Sequence, residues 1–411
     1  MQSKWRVGSL FGIPLFVDSS WFLILLLVTF LYGSNPNWQT AWGSGGAWVA
    51  GFVLALLLFV SVLLHELGHS LAALSQGISV NSITLFLFGG IASIDKESKT
   101  PGAAFQVAIA GPLVSLGIYL TLSLLLATGT VAEIPYAILY NIAQTNLVLA
   151  LFNLIPGLPL DGGQVLKAAV WKITGKRVQG VRWAARSGLL LGWSAIVLGV
   201  LAYLSSQRLD LLWIALLGWF AVRNANAYNR VTDLQEALSS LKAEDAAVRD
   251  FRVLDARMSL RQFADDYGLI GSSGMNDGSA TTERPTAYFA ASDGRYRGEV
   301  ALRDLQTIER STWESRDLHS IARPLTESPT VKESDPLTTV IESLEAQQLG
   351  HITVLTPADA VAGTIDRGDI VRALAQKMNL PVSEALIERI KASGAYPSEL
   401  QLAAIAKAAT E

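Results

Sequence analysis

Residues 61–74 read SVLLHELGHSLAAL, an apolar run that carries His65, Glu66 and His69. On a helix the two histidines lie one turn apart on one face and can share a metal ion. Glu66 stands about 100° further round, close enough to take a proton from an attacking water. The competing reading is a self-satisfied polar cluster in a soluble core. The surroundings decide against it, because the run lies in a stretch of spanning length, where ionisable groups are costly and serve function.

Working outward, the 411 residues are 51% hydrophobic and 16% charged, with a mean hydropathy of +0.36. Up to about Phe220 the chain consists of long uncharged runs, and beyond Asn224 it becomes ordinary and charged. A membrane part followed by an aqueous part is the simplest account. The net charge of −3 provides no global basic field for nucleic acid. Cysteine is absent, so any metal must be held by nitrogen and oxygen.

Apolar runs of spanning length, about 20 residues, fall at roughly 14–33, 48–74, 104–127, 136–157, 187–205 and 209–222. The first is read as a retained span and not as a cleaved leader, since no small-residue cleavage site stands out. Lys4 and Arg6 precede it, Lys96 and Lys99 follow the second run, and Lys167 to Arg186 follow the fourth. Segments 34–47 and 128–135 hold no Lys or Arg. The alternation predicts about six spans with both termini cytoplasmic.

Zinc hydrolases use three protein ligands, so two imidazoles leave one place to fill. His319 and His351 lie in the charged part of the chain. The end of the fourth run, NLVLALFNLIPGLPLDGGQVLKA (146–168), supplies Asn146, Asn153 and Asp161, and the topology puts Asp161 on the same side as His69. Asp161 could instead cap the following helix. Ligation is favoured because the metal site lacks one oxygen. Between the two motifs, residues 78–95 (ISVNSITLFLFGGIASID) are too short and too β-branched to span. They predict a small membrane-associated hairpin turning near Gly89-Gly90. It is either a greasy re-entrant connector or an edge that pairs with an extended peptide.

HELGH together with FNLIPGLPLDGG resembles the site-2 protease family of intramembrane zinc metalloproteases, over about residues 1–225. The resemblance implies zinc held by His65, His69 and Asp161, with Glu66 activating water and Asn153 orienting substrate or steadying the oxyanion. Ala110-Gly111-Pro112 is also similar to the family, and Ser115, near where many members carry asparagine, receives no role. The implied partners are the lipid bilayer and a membrane-anchored protein with a transmembrane helix, in a bacterial inner membrane or a plastid membrane. The expected domains are a transmembrane metalloprotease domain at 1–228, a second domain at 245–378 and a helical tail at 383–411.

The second domain shows a weak internal repeat, YFAASDGRYRGEVALRDLQTI (288–308) and HITVLTPADAVAGTIDRGDIVRAL (351–374). It resembles a tandem pair of cystathionine-β-synthase (CBS) domains of α+β type. The first copy is degenerate and carries a polar insertion at 271–285. The resemblance implies adenine nucleotide held by Asp304 and Asp369. Ala301 and Asp366 replace the usual hydroxyl residue, so a dimerisation or docking module that binds no nucleotide stays open. Two rivals to the protease are a CBS-gated ion transporter and an inactive membrane scaffold.

Overall fold

The computed structural model describes residues 4–86, 89–95, 97–267, 287–305, 307–397, 400 and 402–410. The insertion expected at 271–285 lies outside them. The chain divides into two compact units, Met1–Thr232 and Asp233–Glu411.

The first unit opens with strands β1 (Lys4–Leu10) and β2 (Ile13–Asp18), followed by helix α1 (Ser20–Gly33). The first expected span is therefore divided. Residues 13–18 pair in a sheet, and α1 keeps only 14 residues, short of a full crossing. Next comes α2 (Pro36–Ser75), started by Asn35 as N-cap with Pro36 in the first turn and kinked at Gly43. Strands β3 (Val80–Phe86) and β4 (Gly89–Ile94) form the expected hairpin. Beyond it lie α3 (Pro101–Ala127), α4 (Glu133–Asn153), α5 (Asp161–Thr174), α6 (Arg177–Ser206) and α7 (Leu212–Ser240). The apolar run at 209–222 becomes a single 3-10 turn, Leu209–Leu211, and the start of α7. Among the described residues, α2, α3, α4 and α6 are long and apolar enough to cross a membrane.

The hairpin does not stand alone. The sheet order is β1-β2-β3-β4, with β2 and β3 parallel and the other pairs antiparallel. Ile13 and Ile83 are buried against Leu67 and Ala73 of α2, which fastens the sheet to the histidine-bearing helix. β4 is left as an edge strand.

The second unit contains α8 (Ala243–Ala246), β5 (Phe251–Asp255), α9 (Leu260–Tyr267), β6 (Ala287–Ser292), β7 (Arg295–Val300) and α10 (Leu302–Leu305). Then follow β8 (Thr330–Lys332), α11 (Leu337–Ala346), β9 (His351–Leu355), β10 (Val361–Asp366), α12 (Arg367–Lys377), α13 (Glu384–Ser393) and α14 (Leu402–Thr410). Each sheet joins one parallel and one antiparallel pair in the same order, β5-β6-β7 and β8-β9-β10. This is the repeated α+β order expected of a tandem CBS pair. The tail is more than an appendage. Ile387 and Ile390 of α13, with Leu402 and Ala406 of α14, are buried in the core of the second copy.

Candidate metal centre

α2 carries His65 and His69 on its buried face, at 3% and 8% exposure. α5 begins at Asp161, which the 154–160 loop delivers to the same place. That loop is seated on α6, where Leu158 N–H donates to Ala184 O at 3.1 Å and the Ser187 hydroxyl donates to Pro156 O. Gly188 permits the contact, since a Cβ there would overlap Leu158 O.

Three atoms converge at the centre. His65 Nε2 lies 3.1 Å and His69 Nε2 3.3 Å from Asp161 Oδ2, and the two Nε2 atoms are 3.3 Å apart. A tetrahedral zinc with bonds of about 2.0–2.1 Å spaces its ligands by about 3.3 Å, so the donor set fits that ion. The far side of each ring is also committed. His69 Nδ1 meets Val107 O at 2.7 Å, and because a carbonyl can only accept, Nδ1 is the donor. The Nε2 of the neutral ring therefore keeps its lone pair for the centre. His65 Nδ1 lies 2.9 Å from the Ser115 hydroxyl, which fixes the plane of that ring.

Helix α3 thus supplies the supports that sequence reasoning missed. Its Pro112 removes the N–H that would bond Ala108 O, opening the ladder beside the Val107 carbonyl. Gly111 lets α3 approach the rings, because a Cβ there would overlap His69 Nε2 and come within 2.7 Å of His65 Nε2. The signal available was Gly111 and Ser115, four apart and so on one face of the helix.

Glu66 is half-buried beside the three ligand atoms, with strand β4 running along its side chain. A side chain at Gly90 would overlap Glu66 Cγ, so the strand passes directly against this carboxylate. Asn153, expected in a catalytic role, is the half-buried last residue of α4, and among the described residues no hydrogen bond joins it to the three ligands. Asn146 is fully buried one level away, donating to the Ser61 hydroxyl at 2.9 Å and to Ile142 O.

The two aspartates expected to hold nucleotide lie in the second unit, each with a protein cation. Asp304 pairs with Arg323 at 2.9 Å. Asp369 is 3% exposed, completes a capping box with Asp366 at the start of α12, and pairs with Lys391 at 2.9 Å and Arg372 at 3.3 Å.

The chain matches the model of peptidase family M50 over residues 53–138 and 126–195. It is 42% identical over 377 residues to a putative zinc metalloprotease, sll0528, of Synechocystis sp., covering 91% of this chain and 96% of that one. It is 31% identical over 379 residues to the putative zinc metalloprotease Rip3 of Mycobacterium tuberculosis, covering 91% and 93%. Among solved structures, the site-2 protease from Methanocaldococcus jannaschii is 31% identical and covers 55% of this chain and 95% of that one, with a TM-score of 0.41.

Proposed function

Because this chain belongs to peptidase family M50, the site-2 protease family of zinc metalloproteases, we propose that it hydrolyses a peptide bond within a transmembrane segment of a membrane-anchored regulatory protein. One observation carries the reading. His65 and His69, on a helix of spanning length, converge with Asp161 of α5 beside Glu66. Zinc bound there would supply the Lewis acidity that activates water and polarises the scissile carbonyl.

The chain's own groups do the rest. Glu66 takes the proton of the attacking water and returns it to the leaving amine. A substrate helix hides its peptide bonds, so it must unwind locally before it can be cut. β4, the edge of the sheet, offers the unwound segment a partner. Its Gly90 and Ala92 are two apart and share one side of the ladder, and Gly90 packs against Glu66. A substrate strand added there would lie against the catalytic carboxylate. By the charge pattern of the loops, we place both termini in the cytoplasm, in a bacterial inner membrane or a plastid membrane.

One preparation tests both parts. The full chain in detergent, mixed with a single-span substrate, is expected to cleave it, to stop when a chelator strips its metal, and to resume with zinc. Cleavage that survives complete metal removal would refute the metal mechanism. For the edge, the cysteine-free chain accepts a single probe, Ile91→Cys, at a position 57% exposed, placed in a Glu66→Gln background so that substrate persists. Disulfides to cysteines scanned through the substrate are expected at every second position. Equal capture at all positions, or none, would remove strand addition.

The CBS pair is proposed as a regulatory module that works by homodimerisation in preference to adenine nucleotide. Asp304 already holds Arg323, and Asp369 already holds Lys391 and Arg372. A nucleotide would have to displace a cation from either.

A further inference from the structure

The short connector between β4 and α3 is bonded to both helices that carry the metal ligands. At its centre Glu97 Oε2 meets Lys167 Nζ of α5 at 3.1 Å and Arg177 Nη2 of α6 at 2.6 Å. Lys167 is 8% exposed, a buried cation whose ion pair is with Glu97, while Glu97 keeps about half its side chain open. Next to Glu97, the Ser98 hydroxyl donates to Oε1 of Gln76, the residue that ends α2. Gln76 Nε2 in turn donates to Ala103 O and Gln106 Oε1 at the start of α3. Thr100 closes the connector as the N-cap of α3.

We propose that Glu97 is a positioning residue, which through Lys167 and Arg177 holds α5 so that Asp161 Oδ2 meets the Nε2 atoms of His65 and His69. This inference rests on the metal reading above. Three features of the chain carry it. Asp161 is the first residue of α5, so any slide or roll of that short helix moves its carboxylate directly. α5 itself follows a loop, whereas His65 and His69 sit in the last third of the 40-residue α2. A tie from the end of α2 to the middle of α5 therefore links the two ligand sources from outside the centre, in addition to the packing of α3. The carboxylate is also in the right form. Burial raises it, but Lys167 and Arg177 outweigh that and hold Glu97 below the usual carboxylate range.

The test uses the full chain in detergent, loaded with zinc or with cobalt as a spectroscopic probe. Glu97→Gln is expected to lose metal to a chelator about 10-fold faster than the parent, the lower end of what outer partners of metal ligands contribute. It should also change the visible cobalt spectrum and lower kcat with KM unchanged. Glu97→Asp, which keeps the charge, should restore slow metal loss, and a merely structural role would leave the cobalt spectrum of the folded protein unmoved. Should Glu97→Gln fail to fold, Lys167→Met removes the buried cation instead and is expected to give the same faster loss. A folded Glu97→Gln or Lys167→Met protein with parental metal loss and cobalt spectrum would overturn the proposal. The metal reading fails separately, if the parent protein holds no more zinc than His65→Ala.

Discussion

Glu66→Gln is expected to lower substrate cleavage by about 10²–10⁴-fold, the range that a positioned general base supplies, while zinc content stays at the parental level. The two effects separate because Glu66 is not one of the convergent ligands, which are His65, His69 and Asp161. Glutamine preserves the volume of the side chain and keeps one amide oxygen as an acceptor. What it cannot do is take a proton from water. Cleavage is followed on a co-expressed single-span substrate, with metal measured on the purified protein. Persisting cleavage with full zinc would show that another group moves the proton, and the role given to Glu66 would fall.

Gly111→Ala is expected to strip the centre of its metal, with zinc affinity reduced by at least about 100-fold, as for the strongest perturbations of ligand support. The added methyl would overlap His69 Nε2 and crowd His65 Nε2. Helix α3 cannot simply retreat, because its Val107 carbonyl and Ser115 hydroxyl orient the same two rings. Either the methyl displaces the ligand atoms or α3 moves and releases both rings. Overpacking of this kind costs about 1–3 kcal/mol, so the substituted protein should still fold with a lowered melting temperature. Zinc stoichiometry after gel filtration, read together with the melt, checks this. Stoichiometric zinc in a folded Gly111→Ala protein would mean that α3 does not shape the centre.

Much of the centre was legible in the order of residues. The spacing of His65 and His69 is a property of one helix, set by its 3.6-residue turn, and it survives any tertiary arrangement. Asp161 could be named because the loop charges placed it on the same side as His69. The repeat in the second unit was legible for a related reason, since each copy carries its own strand, turn and helix signals in order.

The rest depended on partners distant in the chain. Residues 14–17 look like the start of a span because they are apolar. They become a strand because β2 finds β3 and buries Ile13 beside Ile83. Apolar side chains suit either fate, and only the available partner chooses between them. Ser115, Val107 and Gly111 gained their roles in the same way, from the side of α3 that faces α2. Asp369 of the second copy, expected as a nucleotide contact, also pairs with Lys391, because the tail folds back onto α12. Local periodicity determined which groups this chain can offer to a metal. The packing of α3, α5 and the β4 edge around α2 decided how those groups meet, because hydrogen bonds and close contacts depend on distance in space and not along the chain.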